Sequence, residues 1–217
     1  MKQVFILGAS SVYGVGAEHD GWGDLVKSYV HNKLYTSDGP GEACEVFNFA
    51  KAGSTIEFIT DTFPWISEHY QRGPELVTLV SIGGNDARAV NTPDNYVSTP
   101  EEFRDKLSNL CTMLKVQSKH VIFVSNGYVD ERKVSPKPSP FNDGIVSYFT
   151  NERRAQFNAI TKELCESMEF DFVAVECDKN TWINEYLYKD GLHPNQLGYQ
   201  LIFEALRPKL DKALAFN

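Results

Sequence analysis

A serine close to the first residues and an aspartate–histidine pair close to the last ones are the side chains that could do chemistry together. Ser10 follows Gly8 and Ala9, while Asp190 and His193 lie three residues apart. A hydroxyl is a poor nucleophile until a base takes its proton, and the base works best when a third group orients it. The order Ser…Asp…His therefore offers a nucleophile, an orienting carboxylate and a general base, provided that the two parts of the chain meet.

The elements that must position these residues alternate between strand and helix. Apolar runs rich in Val, Ile and Phe predict buried strands at 4–7, 45–49, 76–82, 121–125 and 170–175. Amphipathic spacing predicts helices at about 21–35, 54–70, 100–117, 149–168 and 195–213. This alternation predicts a parallel sheet in a three-layer α/β/α sandwich, with 1–217 as a single domain.

Charge and composition exclude several classes of function. The net charge of −8 argues against a nucleic-acid-binding or anionic-membrane surface, because both partners attract basic patches. The apolar run 4–7 is too short for a signal peptide, and no apolar stretch is long enough to insert into a membrane, so we expect a cytoplasmic protein. Oligomeric state leaves no signature that we can interpret.

The four cysteines carry no metal-site or redox spacing. No CxxC pair occurs among Cys44, Cys111, Cys165 and Cys177, which lie in predicted strands and helices. Reduced core thiols are the expectation, with a disulfide or metal role as the alternative. Dinucleotide, P-loop and HExxH motifs do not occur, so we expect neither a cofactor nor a metal.

One long irregular stretch, 126–147, contains three prolines and the run Asn142-Asp143-Gly144. It follows the fourth predicted strand at its carboxyl end, where open α/β sheets bind ligands. We expect it to form part of the substrate wall, and a surface insertion without function is the alternative.

Four short blocks fall after the first three predicted strands or before the last helix. They are Gly8-Ala9-Ser10-Ser11-Val12-Tyr13-Gly14, Asn48 to Ser54, Gly83-Gly84-Asn85-Asp86, and Asp190-Gly191-Leu192-His193-Pro194-Asn195. Together they closely resemble the SGNH (GDSL-type) hydrolase family of serine esterases, lipases and acylhydrolases, over about residues 5–200. The resemblance implies a flavodoxin-like sandwich with five parallel strands, and it implies hydrolysis of a small-molecule ester through an acyl-enzyme.

The resemblance assigns the nucleophile to Ser10 rather than Ser11, with His193 as base and Asp190 orienting it. The alternatives are that Ser10 only caps a helix, and that the pair is a loop aspartate with a capping histidine. Pro194 suits the first position of a helix, so His193 is expected at the cap of the last one.

The same resemblance places the oxyanion hole at the backbone N–H groups of Ser10 and Gly53 and the side-chain amide of Asn85. Fixed donors of this kind stabilise the negative charge that acyl transfer builds on the carbonyl oxygen. A turn glycine and an Asx turn are the ordinary alternatives for Gly53 and Asn85. Asp86 is expected to bond local backbone.

One residue departs from the family pattern. Ala9 stands where family members usually carry Asp, and Ser11-Val12 replaces the usual Leu-Thr. The triad does not need that Asp for proton transfer, so the departure concerns how the nucleophile turn is held. It also gives some support to a non-catalytic binding module on the same scaffold.

Substrate identity is the least determined property. A small acyl or acetyl ester is the expectation, and an acyltransferase using the same acyl-enzyme is an alternative to a hydrolase. Five aromatic residues could line the substrate site or simply pack the core: Tyr13, Trp22, Tyr128, Phe141 and Trp182.

Overall fold

The computed structural model describes residues 1–36, 39–40, 43–140 and 143–216. At its centre lies a sheet of β1 (Lys2–Gly8), β2 (Cys44–Asn48), β3 (Leu76–Ser81), β4 (His120–Val124) and β5 (Asp171–Val173). The spatial order is β5-β4-β3-β1-β2, and every neighbouring pair is parallel. The five predicted strands and the flavodoxin-like order are confirmed.

The sheet is apolar on both faces because its strands alternate between two cores. In β1, Val4 and Ile6 pack in one core and Phe5 and Leu7 in the other, since successive strand side chains point to opposite faces. Val4 pairs with Val46 of β2 and Val77 of β3, so the registers bring like residues side by side.

Five long helices cover the two faces. They are α1 (Trp22–Leu34), α2 (Ile56–Tyr70), α3 (Pro100–Gln117), α4 (Asn151–Met168) and α5 (Gln196–Leu214). Apolar residues of α1 and α5 pack in the core with Val4 and Ile6, and those of α2, α3 and α4 pack in the core with Phe5 and Leu7. The predicted three-layer sandwich is confirmed.

The described residues of the stretch 126–147 contain more regular structure than expected. They include a short helix, Glu131–Val134, and the strand Lys137–Pro138, which pairs with Val146–Tyr148; this strand in turn pairs with Ala89–Val90. We call these three antiparallel strands the small sheet. The expectation of an irregular stretch was wrong because strands of two or three residues leave no periodicity, and an edge strand tolerates proline.

Two further findings concern membranes and thiols. Within the described ranges, no helix is both long enough and apolar enough to cross a bilayer. Cys44, Cys111 and Cys165 are buried and Cys177 is half-buried, and no disulfide joins any two of these four. Burial raises the pKa of the Cys111 thiol to about 12.

Candidate active site

The residues that could do chemistry together meet at the carboxyl edge of the central sheet. Ser10 begins a one-turn helix, Ser10–Tyr13, directly after β1, and Asn85 lies just beyond the end of β3. Asp190 and His193 lie on the turn that precedes α5. Loops that follow parallel strands converge at this edge, which is why residues so far apart in sequence become neighbours.

A hydrogen-bonded chain joins Ser10, His193 and Asp190. His193 Nε2 lies 2.9 Å from Ser10 Oγ, and His193 Nδ1 lies 2.6 Å from Asp190 Oδ2. An ionised carboxylate can only accept, so Nδ1–H donates to Asp190 and Nε2 accepts the hydroxyl proton of Ser10. This tautomer is the one that a general base for Ser10 needs.

Asp190 is held in its ionised form. Burial alone would raise the pKa of this carboxyl, but hydrogen bonds from the His193 side chain and from the backbone N–H groups of Leu192 and His193 outweigh it. The pKa of Asp190 therefore lies well below its usual range. Asp190 Oδ1 accepts those two backbone bonds at 2.9 and 3.1 Å, which leaves Oδ2 for the imidazole.

Backbone hydrogen bonds stabilise the turn that carries Asp190 and His193. Tyr188 N–H donates to the carbonyl of His193, and Asn195 N–H donates to that of Tyr186, both at 2.8 Å. Asn195 is the N-cap of α5, and its Oδ1 accepts from Gly198 N–H at 2.9 Å. The expectation that His193 caps this helix was wrong, because the Asn195 side chain supplies the cap and Pro194 stays outside the helix.

Of the candidate oxyanion donors, Asn85 lies in the same cavity as Ser10 and His193. It is buried, and its Nδ2 donates one proton to the carbonyl of Ser54 at 2.9 Å, which leaves the second amide proton for a ligand. Gly53 lies on the adjoining turn with φ of +82°, a conformation that favours glycine. It is exposed and is not among the described residues that line this cavity.

The cavity beside Ser10 is narrow. Its volume is about 20 Å³, and two of its lining residues were missed by the sequence analysis: Phe149 and Arg154. Asn126 also lines it and is the first residue of the stretch 126–147 that was expected to form part of the substrate wall. Arg154 could not have been found, because nothing in an amphipathic helix distinguishes it from its neighbour Arg153.

Arg154 is almost fully buried, with 8% of its surface exposed. Its Nε donates to the carbonyl of Gly127 at 2.9 Å. Burial lowers the pKa of this guanidinium to about 10, so it is still charged at neutral pH. Arg154 also lines a larger neighbouring cavity of about 270 Å³ between α4 and β5.

Asp86 supports the site without lining it. Its Oδ1 accepts from the backbone N–H of Ile56, at the start of α2, at 2.9 Å. Ile56 lies 30 residues away in the sequence, and the expected local backbone contributes as well, since the N–H groups of Gly83 and Asp86 lower the pKa of this carboxyl. Burial raises the pKa of Asp86 to about 6, and Asp86 Oδ2 has no partner.

The candidate aromatic residues divide by burial. Trp22 and Trp182 are core residues, and Trp182 Nε1 donates to the carbonyl of Tyr128 at 2.9 Å. The Tyr13 and Tyr128 side chains are exposed, the first on the one-turn helix that begins with Ser10 and the second in the segment 126–147. Phe141 lies outside the described residues.

No group of three or more His, Cys, Asp or Glu side chains is placed to hold a metal in the described part of the chain. The site that the structure does describe is a set of side chains and backbone groups joined by hydrogen bonds. Its chemistry is that of a hydroxyl next to a base, with an amide donor beside them.

Comparison with known proteins gives a family and a set of structural relatives. The model of the GDSL-like lipase/acylhydrolase family matches residues 6–201. No curated protein sequence matches the chain.

Three solved structures share the fold. TesA is 13% identical, with 98% of this chain and 99% of that chain covered and a TM-score of 0.67. Axe2, an acetylxylan esterase from Geobacillus stearothermophilus, is 16% identical over 100% and 95%, also with a TM-score of 0.67. A lipase/acylhydrolase from Enterococcus faecalis is 19% identical over 98% and 96%, again at 0.67.

Proposed function

Because the chain belongs to the GDSL-like lipase/acylhydrolase family, we propose that it is a serine ester hydrolase that cleaves a small acyl or acetyl ester through an acyl-enzyme. The observation that carries this proposal is the continuous contact from Ser10 Oγ through His193 to Asp190 Oδ2. A serine that only capped a helix would not need a buried imidazole 2.9 Å from its hydroxyl.

In the proposed reaction, Ser10 Oγ attacks the ester carbonyl while its proton passes to His193 Nε2. Asp190 orients the imidazole and stabilises the imidazolium. The tetrahedral oxyanion accepts hydrogen bonds from the Ser10 and Gly53 backbone N–H groups and the Asn85 amide. His193 then protonates the leaving alcohol, and a water molecule, activated by His193, releases the acid and restores Ser10.

The size of the cavity supports a short acyl group. The narrow cavity beside Ser10, about 20 Å³, favours a small neutral acyl group over a long neutral one, and Phe149 and Leu192 are among the residues that line it. Axe2, whose fold is similar, acts on acetylated xylan by its description.

The location of the protein in the cytoplasm, expected from the sequence, is part of the same proposal.

The test uses a fluorophosphonate reagent and a panel of nitrophenyl esters of increasing chain length. We expect phosphonylation at Ser10, located by mass spectrometry, and hydrolysis that declines as the acyl chain grows. Ser10→Ala should lose both, whereas Ser11→Ala, which removes the adjacent hydroxyl, should keep labelling at Ser10.

Three results would change the proposal. Undiminished hydrolysis by Ser10→Ala would contradict it, and a folded wild type that neither reacts nor hydrolyses would favour a binding module. An acyl product formed on a competing alcohol in preference to water would identify an acyltransferase.

A further inference from the structure

Arg154 is the one buried residue of the site whose charge the described fold leaves uncompensated. It lies in the first turn of α4, and its only hydrogen-bonded side-chain atom is Nε, which donates to Gly127. No described carboxylate forms an ion pair with it, and burial is the only cause that lowers its pKa. An unpaired buried charge is costly, so a purely structural role would be better filled by an apolar side chain.

The neighbouring residue shows what a structural arginine looks like here. Arg153 donates from Nε to the carbonyl of Ala87 at 3.0 Å and from Nη2 to that of Ser98 at 2.7 Å. Both ends of that guanidinium therefore hold the segment after β3. Arg154 has no such acceptors for Nη1 and Nη2 among the described residues.

These two nitrogens open onto the cavities. Among the described residues, the fully enclosed side-chain atoms without a partner are Asp86 Oδ2 and Arg88 Nε. Nη1 and Nη2 of Arg154 therefore keep accessible surface, and the cavities that Arg154 lines include the one beside Ser10.

The surroundings of Gly84 show how close the Arg154 guanidinium lies to the segment that carries Asn85. A Cβ added at Gly84 would stand 3.0 Å from Arg154 Nη1 and 3.0 Å from Asn126 Oδ1. Gly84 directly precedes Asn85, the candidate oxyanion donor. The Arg154 guanidinium thus lies next to the segment that carries Asn85, and both residues line the cavity beside Ser10.

We infer that the acyl part of the ester carries a carboxylate, which Nη1 and Nη2 of Arg154 bind as a pair. The inference rests on the proposed function and narrows its substrate class to half-esters of short dicarboxylic acids. A planar guanidinium with two free nitrogens matches a carboxylate in geometry and charge. We place this carboxylate on the acyl chain because Arg154 lines both the cavity beside Ser10 and the larger cavity of about 270 Å³, which gives a chain longer than acetyl a place to extend.

The experiment compares two ethyl esters, monoethyl succinate and neutral ethyl pentanoate, by ethanol release. We expect the wild type to prefer the half-ester in kcat/KM. Arg154→Gln should lose about 10- to 100-fold on the half-ester, the usual range for hydrogen bonds to a charged group, and little on the neutral ester. Arg154→Lys should keep part of the preference, since it keeps the charge but not the paired donors.

Arg104→Gln is the matched control, because Arg104 is exposed on α3 and pairs with Glu163. Arg104→Gln should change kcat/KM on neither the half-ester nor the neutral ester. Equal losses on both esters in Arg154→Gln, or a wild type without preference for the half-ester, would overturn the inference and leave the proposed esterase standing. Should Arg154→Gln fail to fold in thermal unfolding, Arg154→Lys carries the same comparison.

A binding measurement separates this inference from the esterase proposal. Calorimetry with Ser10→Ala and succinate reports the carboxylate site without turnover, and adding Arg154→Lys should weaken binding. Absence of succinate binding would count against the carboxylate site. A wild type that shows neither fluorophosphonate labelling at Ser10 nor ester hydrolysis would count against the esterase proposal.

Discussion

Lys137 Nζ donates to the backbone carbonyl of Asp190 at 2.9 Å and lies 3.6 Å from Asp190 Oδ2. A residue of the small sheet thus contacts the turn that carries Asp190 and His193. Because the contact reaches both the backbone and the carboxylate, it restrains the position of Asp190 and places a positive charge beside the carboxylate that binds the imidazole.

Replacing Lys137 by Met should lower kcat/KM by roughly 3- to 10-fold, since a partly exposed charge-assisted hydrogen bond is lost. Lys189→Met is the control: the Lys189 side chain lies over the Tyr188 ring and forms no ion pair with Asp190 among the described residues. An unchanged kcat/KM in Lys137→Met would argue against a role for this contact.

Asp190→Asn should reduce kcat by about 10⁴-fold, the loss typical when a serine triad loses its orienting carboxylate. Single-turnover kinetics with a nitrophenyl ester measure it. The variant should also be less stable at neutral pH. The low folded pKa of Asp190 gives stability that is present above its unfolded pKa and is lost as pH falls through the folded one. Urea unfolding of wild type and variant from pH 7 downward should therefore show the two curves converging.

Asn85→Ala should cost about 10² to 10³ in kcat with little change in KM, because the amide acts on charge that develops only in the transition state. Asn85→Asp keeps the shape but replaces the donor by a negative charge, so it should be the more damaging change. If the Asp variant were as active as wild type, Asn85 could not be an oxyanion donor.

Asp86 should make stability depend on pH in the opposite direction from Asp190. Burial raises its folded pKa to about 6 from 3.8, so the stability it contributes is full below pH 3.8 and is lost as pH rises through 6. The unfolding free energy of wild type relative to Asp86→Asn should fall by about 2 kcal/mol between pH 4 and pH 8. Asp61→Asn, an exposed change on α2, should show no such slope.

Ala9 is the N-cap of the one-turn helix that begins with Ser10, and its side chain makes no capping hydrogen bond. Ala9→Asp and Ala9→Asn should each raise the unfolding free energy by about 1 kcal/mol, since both side chains can accept from the free N–H groups of the turn. Urea unfolding checks this. A gain with Asp alone would assign the effect to charge, and no gain with either would contradict capping.

The sandwich could be predicted because its strands are long, apolar on both faces and separated by amphipathic helices. Four site residues could be predicted to lie together, because each follows a strand or precedes a helix at the same sheet edge. They are Ser10, Asn85, Asp190 and His193. That placement needs only the connection rules of parallel sheets and no side-chain geometry.

Other parts of the site depend on contacts that sequence does not encode locally. Arg153 and Arg154 are adjacent and identical in type, yet one bonds the segment after β3 and the other lines the cavity. The bond from Ile56 N–H to Asp86 joins segments that only the folded chain brings together. The small sheet escaped prediction because its strands are too short to show a period.

The small sheet couples the two connections that carry Asn85 and Asn126, both of which line the cavity beside Ser10. Ala89–Val90 belongs to the connection after β3, while Lys137–Pro138 and Val146–Tyr148 belong to the connection after β4. Exchanging one connection for a loop from another enzyme would break strand pairing in the other and release Lys137 from the base-bearing turn. Redesign of substrate preference in this chain has to transplant both connections together.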